Sequence, residues 1–263
     1  MLITVITVCF NSAAHIADTL RSVDRQTWPH LEHLIVDGGS IDGTLDVIAA
    51  HAQPWRNVVS GPDLGIYDAM NKGFARATGD FVGFLNADDM FADAQAVASI
   101  AQAACEDGID AVFGDLVYVR QDRPDVTLRY WRSGAYAARR LRYGWMPPHP
   151  TFYVRRSLLA DVGAFDLQFR IAADYDWMLR FLRRLDAGVA YVPRVLVRMR
   201  AGGASNRSLR ALVRKSREDL RALRKNGVGG VTTLLCKNAR KLPQFFGQEG
   251  SVPPEALDRP GRP

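Results

Sequence analysis

Short apolar runs alternate with amphipathic stretches along the amino-terminal third of the chain. The first run, residues 2–8, is continuous and rich in β-branched side chains, which predicts a buried strand. Ile16 and Leu20 then recur at helical spacing. We expect Asn11 or Ser12 to cap this helix because both residue types accept hydrogen bonds from free backbone N–H groups. The chain therefore begins with a strand and a helix.

The same order is repeated further along the chain. The pattern predicts strands at 33–37, 57–62, 80–85, 111–119, 127–131 and 151–155, and helices from residue 44, at 67–78 and 92–106, near Leu158 and from the segment AADYDW. Strands alternating with helices indicate an α/β fold with a mostly parallel sheet flanked by helices. Ligands of such sheets bind outside the carboxyl ends of the strands, where Asn11, Asp37, Asp63 and the pair Asp88 and Asp89 are expected to converge.

Charge divides the chain into two parts. The formal net charge is +6, but residues 198–241 contain thirteen Lys or Arg and two acidic residues, a local charge of +11, so the remainder carries −5. We predict a basic helix from about 205 to 226, with leucines on one face, that binds an anionic membrane surface or packs on the main domain. The last residues, 247–263, are predicted to be disordered.

Cysteine content and hydropathy narrow the protein class. The three cysteines, Cys9, Cys105 and Cys236, are odd in number and lack metal-ligand spacing, which argues against a disulfide framework or a zinc site and fits a reducing cytosol. No apolar segment approaches the roughly 20 residues that span a bilayer. The amino terminus has no preceding basic residues, so we interpret it as a strand and not as a signal peptide.

The segment FVGFLNADDMF places two adjacent carboxylates, Asp88 and Asp89, at the end of a strand that should be buried. One interpretation is a turn or a helix cap, because Asn and Asp favour both. The alternative is a site for Mg²⁺ or Mn²⁺ bound to phosphates, since hard oxygen ligands suit these ions. The position at the same sheet edge as Asp37 favours the metal site.

Four segments together resemble family 2 glycosyltransferases of the GT-A fold, particularly the bacterial polysaccharide-assembly branch. They are ITVCFNSAAHIADTLRSVDRQTWPHLEHLIVDGGSIDGT, SGPDLGIYDAMNKGFARATGDFVGFLNADDMF, HPTFYVRRSLLADVGAFD and IAADYDWMLR. The resemblance covers residues 2 to 185. It implies a glycosyltransferase domain at 1–203, with a nucleotide-binding half at 1–115 and a catalytic half at 116–203, followed by a basic helical extension at 204–246.

The resemblance also implies roles for individual residues. Asp37 matches the acidic residue that binds the nucleotide base, Asp88 the carboxylate near ribose and metal, and Asp89 the direct metal ligand. The nucleotide-sugar site is predicted to comprise Thr7, Asn11, Asp37, Asn71, Lys72, Asn86 and Asp88, with Asp88 and Asp89 holding Mg²⁺ or Mn²⁺. The chain departs from many relatives at Gly38, where they have a second acidic residue, and at Met70, where they have arginine.

A second set of residues is expected to act on the acceptor. Asp174 matches the catalytic base of inverting members, which takes a proton from the acceptor hydroxyl. Asp176 is its competitor, although on a helix it lies well round from Asp174. His149 is expected either to support the acceptor or diphosphate or simply to pack. Trp145 is expected to stack on a sugar ring or to anchor its loop in the core.

Three other functions were weighed against a glycosyltransferase. A dinucleotide-dependent oxidoreductase lacks support because CFNSAAH follows the first strand in place of G-x-G-x-x-G. A nucleotidyltransferase that makes sugar nucleotides would have a Gly-rich phosphate loop there, and a nucleic-acid binding module would use the basic extension. We predict a metal-dependent inverting enzyme that adds one sugar, from a UDP-sugar by preference, to a saccharide or lipid-linked acceptor on the inner face of the cell membrane, without binding nucleic acid.

Overall fold

The computed structural model describes residues 1–184, 188–202 and 209–240. The predicted disordered tail and part of the predicted basic extension lie outside these ranges. The strands are Ile3–Cys9 (β1), Leu31–Asp37 (β2), Arg56–Ser60 (β3), Phe81–Phe84 (β4), Met90–Phe91 (β5), Ala111–Val119 (β6), Thr127–Trp131 (β7), Tyr153–Arg155 (β8) and Val189–Arg200 (β9). The helices are Ile16–Asp24 (α1), Thr44–Ala50 (α2), Ile66–Arg76 (α3), Ala96–Ala104 (α4), Leu159–Val162 (α5), Ala173–Arg184 (α6), Leu209–Lys225 (α7) and Val231–Ala239 (α8).

One mixed sheet runs through the described chain in the order β3-β2-β1-β4-β8-β6-β9-β5, and β7 pairs with β6. The first four of these strands are parallel, as expected from the alternation of strands and helices. Antiparallel pairing enters with β8, which joins β4 to β6. The predicted α/β sheet flanked by helices is confirmed, and the order of β1 to β4 brings their carboxyl ends to one edge.

Alternating side chains of β1 separate the two faces of the sheet. Ile6 and Val8 pack in a core cluster that includes Trp177 of α6, whereas Ile3 and Val5 face a second cluster containing residues of α4. This alternation is the period-2 geometry of a strand that is buried on both faces. Consequently α6, which carries the predicted catalytic base, packs on the same face as α3.

The amino-terminal end of α1 differs from the prediction. The helix begins at Ile16, and the backbone N–H groups of His15 and Ile16 donate to the Ser12 carbonyl oxygen. Neither Asn11 nor Ser12 provides a side-chain cap, because Asn11 bonds to the loop after β2 and the Ser12 hydroxyl donates to the Phe10 carbonyl oxygen at 3.3 Å. The cap prediction was therefore wrong.

The basic helix α7 has two different halves. Ala222 and Leu223 are completely buried and belong to the main core cluster, whereas Leu212 and Val213 are about half exposed. Burial of a leucine side chain contributes roughly 1.5–3 kcal/mol. The carboxyl-terminal half of α7 is therefore held on the main domain through α6, and the amino-terminal half presents apolar side chains together with basic ones.

Candidate active site

The carboxyl ends of the parallel strands form one continuous edge. Cys9 at the end of β1 pairs with Asp37 at the end of β2, and Asp37 pairs with Ser60 at the end of β3. On the other side of β1, strand β4 ends at Phe84, two residues before Asn86. The expected convergence of polar segments at this edge is thus present in the fold.

Asp37 is buried and its carboxylate is occupied by protein donors. One oxygen, Oδ2, accepts hydrogen bonds from Gly39 N at 3.1 Å, Ser40 N at 3.0 Å and Ser60 Oγ at 2.7 Å. Burial raises the pKa of Asp37, but the hydrogen bonds from Ser40, Ser60 and the backbone outweigh it and hold the pKa below its usual value. The carboxylate therefore shapes the loop after β2, and contact with a nucleotide base would have to replace one of these bonds.

The space beside Asp37 is shared by Gly38, Asp63 and Phe10. A Cβ atom on residue 38 would collide with Asp63 Oδ2 and would lie 3.4 Å from the Phe10 ring. The Phe10 side chain is 60% exposed, and Asp63 is half-buried with Oδ1 accepting a hydrogen bond from Gly65 N at 2.8 Å. An exposed aromatic ring and a carboxylate therefore both border the position of Gly38.

Two residues predicted to line the base pocket have structural contacts. Thr7 is fully buried within the sheet, and its Oγ lies 2.9 Å from His33 Nε2. Asn11 has a φ of +48°, and its Oδ1 accepts a hydrogen bond from Ile41 N at 3.0 Å. The Thr7 hydroxyl thus contacts the buried His33, whereas Asn11 connects the loops after β1 and β2 at the sheet edge.

Asn71 and Lys72 also make contacts that differ from the prediction. Both ends of the Asn71 amide bond to the backbone of Phe165, with Nδ2 donating to its oxygen at 3.0 Å and Oδ1 accepting from its nitrogen at 2.8 Å. Lys72 Nζ donates to Pro62 O at 2.8 Å and pairs with Asp68 at 2.9 Å. Asn71 is thus a bridge between α3 and a loop, and Lys72 supports the loop that carries Asp63.

The turn from Asn86 to Asp89 presents one carboxylate and buries the other. Asp89 is 1% exposed and accepts hydrogen bonds from Asn86 Nδ2 at 3.2 Å and from Arg200 N at 3.3 Å. Burial and the charge of Asp88 raise the pKa of Asp89 well above its usual range. Asp88 is half-buried, and Asn86 Oδ1 is buried without a hydrogen-bond partner within the described residues.

The Asn86 and Asp88 oxygens therefore form a small set of hard donors. No group of three or more His, Cys, Asp or Glu residues that could hold a metal occurs in ranges 1–184, 188–202 and 209–240. A divalent ion here would take the rest of its ligands from a bound molecule. The unpartnered Asn86 oxygen fits such a site because buried polar atoms normally have partners.

Asp174 lies in the first turn of α6 and is linked to α3. The Tyr67 hydroxyl is 2.6 Å from Ile171 O and 3.2 Å from Asp174 Oδ1, and Asp174 Oδ1 also accepts a hydrogen bond from Tyr175 N at 2.8 Å. Burial and the Asp174 charge raise the pKa of Tyr67, so its hydroxyl remains a donor. Since α3 follows the loop that carries Asp63, Tyr67 connects the sheet edge to Asp174.

His149 provides a second connection between the sheet edge and α6. Its ring stacks on Phe84 with centroids 5.3 Å apart and meets Phe165 edge-on at 6.0 Å. Burial lowers the pKa of His149, while the negative charge of Asp174 opposes that shift. His149 Nε2 is buried and has no hydrogen-bond partner among the described residues. The imidazole therefore packs against the end of β4, and its charge state responds to the charge of Asp174.

Trp145 and Asp176 are structural in this fold. Trp145 is 3% exposed and its Nε1 donates to Ser133 O at 2.8 Å, as the anchoring alternative predicts. Asp176 is completely buried and accepts hydrogen bonds from Arg180 Nε at 3.1 Å, Lys225 Nζ at 3.1 Å and Asn226 Nδ2 at 2.9 Å. Its expected contact with the acceptor does not fit this burial.

Comparison with known proteins decides the family. Residues 4–163 match the family described as Glycosyl transferase family 2. This chain is a family 2 glycosyltransferase. Among curated relatives, the glycosyltransferase is 34% identical over 181 residues to the PGL/p-HBAD biosynthesis glycosyltransferase of Mycobacterium bovis, covering 67% of this chain and 68% of that one.

Solved structures support the GT-A fold of the glycosyltransferase. Staphylococcus aureus TarS 1–349 in complex with UDP-GlcNAc has a TM-score of 0.68 and 19% identity, covering 87% of this chain and 66% of that one. The mannosyltransferase PcManGT of Pyrobaculum calidifontis, in complex with GDP-Man and Mn²⁺, has a TM-score of 0.64 and 20% identity, covering 97% and 77%. Within the described residues, no helix combines the length and hydropathy that a membrane span requires.

Two features of the glycosyltransferase site escaped the sequence analysis. Phe10 carried a usable signal, because an aromatic residue directly after a buried strand and before polar Asn11 favours exposure at the sheet edge. Tyr67 carried none, since its partner Asp174 is 107 residues away in the sequence. The contact depends on how α3 and α6 pack together.

Proposed function

We propose that this glycosyltransferase moves one sugar from a nucleoside-diphosphate sugar to an acceptor hydroxyl with inversion at the anomeric carbon. The observation that supports the proposal is the distance of 3.2 Å between Asp174 Oδ1 and the hydroxyl of Tyr67, which lies on α3 just after the loop that carries Asp63. In the proposed mechanism the strand edge binds the donor and the Asp174 carboxylate acts on the acceptor. The solved neighbours in complex with UDP-GlcNAc and GDP-Man support a nucleotide-sugar donor.

Phe10 and Asp63 are the proposed contacts to the nucleotide base. The exposed Phe10 ring offers a stacking surface, and base–aromatic stacking contributes roughly 1–3 kcal/mol. The Asp63 carboxylate can accept a hydrogen bond from the ring N–H that both uracil and guanine carry. Asp37 does not contact the base in this proposal but holds the loop after β2 through its hydrogen bonds with Gly39 and Ser40. We favour a UDP-sugar, in line with the family resemblance.

Asp88 and Asn86 are the proposed protein ligands of Mg²⁺ or Mn²⁺. Their oxygens are hard donors, and the diphosphate of the donor completes the set. Held by these residues, a divalent ion would supply positive charge that offsets the negative charge of the diphosphate. Asp89 was predicted to be the direct ligand, but its burial and its bonds to Asn86 and Arg200 fit a role in holding the turn.

Asp174 is the proposed base. It takes the proton of the acceptor hydroxyl while that oxygen forms a bond to the anomeric carbon, and the bond from this carbon to the diphosphate oxygen breaks with its electron pair leaving on the nucleoside diphosphate. The carboxylate must be ionised and aimed at the acceptor, which the Tyr67 hydroxyl helps to fix. A single displacement of this kind inverts the anomeric configuration and forms no covalent intermediate.

The proposed acceptor is a saccharide or lipid-linked saccharide at the cytoplasmic face of the membrane. Leu212 and Val213 are 52% and 48% exposed on α7, beside the basic side chains of the same helix. Such a surface can rest on anionic headgroups, where each cation contributes about 1 kcal/mol.

Flotation with phosphatidylglycerol vesicles tests this membrane attachment. At low salt the protein should float with the vesicles, and high salt should release it from them. Absence of flotation at low salt would exclude membrane attachment by α7.

A donor panel tests the proposed function. Release of nucleoside diphosphate is measured from several UDP-sugars and from GDP-mannose with Mn²⁺, with Mg²⁺ and with chelator. We expect release from at least one donor that depends on the divalent ion. If the protein instead forms pyrophosphate from a nucleoside triphosphate and a sugar phosphate, it is a nucleotidyltransferase and the proposal fails.

A further inference from the structure

Glu218 of α7 binds the backbone directly before the catalytic helix. Its Oε2 accepts hydrogen bonds from three consecutive N–H groups, those of Arg170 at 3.1 Å, Ile171 at 2.8 Å and Ala172 at 3.0 Å. N–H groups at a helix start lack partners within the helix, and a carboxylate is a favourable partner for them. Here the carboxylate comes from another helix, 46 residues or more along the chain.

The peptide group between Ile171 and Ala172 links Glu218 to Asp174. Glu218 Oε2 accepts a hydrogen bond from its N–H, that of Ala172, at 3.0 Å, and the Tyr67 hydroxyl lies 2.6 Å from its carbonyl oxygen, that of Ile171. The same hydroxyl is 3.2 Å from Asp174 Oδ1. A shift of the peptide at 171 would therefore move the Tyr67 hydroxyl and the carboxylate that it touches.

Helix α7 contacts α6 at a second point, about two turns further along α7. Lys225 Nζ and Asn226 Nδ2, at and just after the end of α7, donate to the buried Asp176 at 3.1 Å and 2.9 Å. Ala222 and Leu223 lie between the two contact points in the sequence of α7 and are completely buried in the main core cluster. Helix α7 therefore contacts both the backbone just before α6 and a buried side chain in the first turn of α6.

We infer that Glu218 is a positioning residue for Asp174, which makes the basic carboxyl-terminal helix part of the catalytic apparatus. This inference rests on the proposed function, in which Asp174 is the base. Hydrogen bonds from three N–H groups to one carboxylate are charge-assisted, so they hold the backbone at 170–172 firmly. The position of Asp174 matters because misplacement of a reacting group by about 1 Å can reduce a rate roughly 10²-fold. The alternative is that Glu218 contributes only to the stability of the fold.

The test compares Glu218→Ala and the milder Glu218→Gln with a control on the same helix. Arg221→Gln is the control, because Arg221 donates to Gln168 in the same loop but does not bind peptide 171. Turnover is measured as UDP release, from the UDP-sugar that the panel selects, well below the melting temperature. UDP affinity is measured by calorimetry, and amide hydrogen exchange is followed over residues 170–176.

We expect Glu218→Ala to lower turnover by about tenfold or more while UDP affinity stays unchanged. The turnover of Glu218→Gln should lie between those of Glu218→Ala and wild type. The turnover of Arg221→Gln should equal that of wild type. Exchange at 170–172 should accelerate by about tenfold or more in Glu218→Ala because charge-assisted hydrogen bonds are lost. If Glu218→Ala does not fold, Glu218→Gln decides by the same readouts. Wild-type turnover in a folded, less stable Glu218 variant would overturn the inference.

Asp174→Asn, measured alongside, separates this inference from the proposed function. If Asp174→Asn is inactive while Glu218→Ala is fully active, only the positioning role of Glu218 fails. If Asp174→Asn keeps wild-type turnover, the assignment of the base fails and the positioning role fails with it.

Discussion

The replacement Asp176→Asn tests how α6 is held in place. Asparagine keeps the size of the side chain but removes the charge that Arg180, Lys225 and Asn226 all contact. Breaking a buried ion pair by removing one partner costs about 3–5 kcal/mol. Because the side chains of Lys225 and Arg180 are 38% and 21% exposed, water screens part of the interaction and we expect a loss near the lower limit, about 3 kcal/mol.

Asp166→Asn is the matched control for this prediction. Asp166 pairs with the same Lys225 Nζ at 2.8 Å, but its side chain is 25% exposed, whereas that of Asp176 is completely buried. Exposed ion pairs contribute about 0–1 kcal/mol, so the control should lose no more than about 1 kcal/mol. The two variants therefore differ in burial while sharing one cationic partner.

Urea unfolding and thermal melting measure the difference. For a chain of this size a loss of 3 kcal/mol lowers the melting temperature by about 6–12 °C, at about 2–4 °C for each kcal/mol. Turnover of the folded Asp176→Asn protein, at low temperature, should be retained for the most part. Equal small losses of stability in both variants, or a stable but inactive Asp176→Asn, would refute the structural role of Asp176.

Three further predictions concern Asp88 and Phe10 at the donor site and the buried side chain of His33. Asp88→Ala should weaken Mn²⁺-dependent UDP binding by at least about tenfold, as calorimetry can show, because even changes behind metal ligands cost 10–100-fold. Phe10→Ala should weaken UDP binding by about 1–3 kcal/mol without changing the melting temperature, because its ring is 60% exposed. Burial and the charge of Arg56 hold the pKa of His33 well below its usual value. The unfolded chain therefore binds a proton below about pH 6.5 that the folded His33 does not, and stability should fall with decreasing pH, with a slope for this group that approaches about 1.4 kcal/mol per pH unit once the unfolded His33 is fully protonated. In urea unfolding between pH 6.5 and 5.5, His33→Gln should remove the contribution of His33 to the pH dependence of the free energy of unfolding.

Each of these predictions has its own control. Asp89→Asn should retain more of the Mn²⁺ dependence of UDP binding than Asp88→Ala does, because Asp89 is buried. If Asp89→Asn loses more of it, Asp89 is the metal ligand. Unchanged UDP affinity in Phe10→Ala would exclude stacking on this ring. His30 is exposed, so His30→Gln should keep the wild-type pH slope, and an equal slope in His33→Gln would contradict the argument.

The order of strands and helices was largely predictable because hydrophobic periodicity records local geometry. Strands at 111–119 and 127–131 and a helix beginning at Thr44 match the prediction. Strands β5 and β9 were not predicted. The first comprises only Met90 and Phe91, and the second contains Pro193 and alternates arginines with apolar residues, so its strand character depends on pairing with β6 and β5.

The placement of site residues was predictable only in part. The sequence identified the sheet edge, but it could not distinguish Asp88 from Asp89, because the contact that buries Asp89 comes from Arg200, 111 residues away. Similarly, only the tertiary contacts of Asn71 reveal that both ends of its amide are occupied by Phe165. Long-range packing, and not local pattern, decides which polar side chains remain available to a ligand.

The turnover of Asp174→Asn is the most direct test of the proposed function. UDP release is measured with the donor that the panel selects, and UDP affinity is measured in parallel by calorimetry. Since a positioned base contributes about 10²-fold or more, turnover should fall by at least that factor while UDP affinity and melting temperature stay at wild-type values. Near-wild-type turnover in Asp174→Asn would contradict the proposed mechanism.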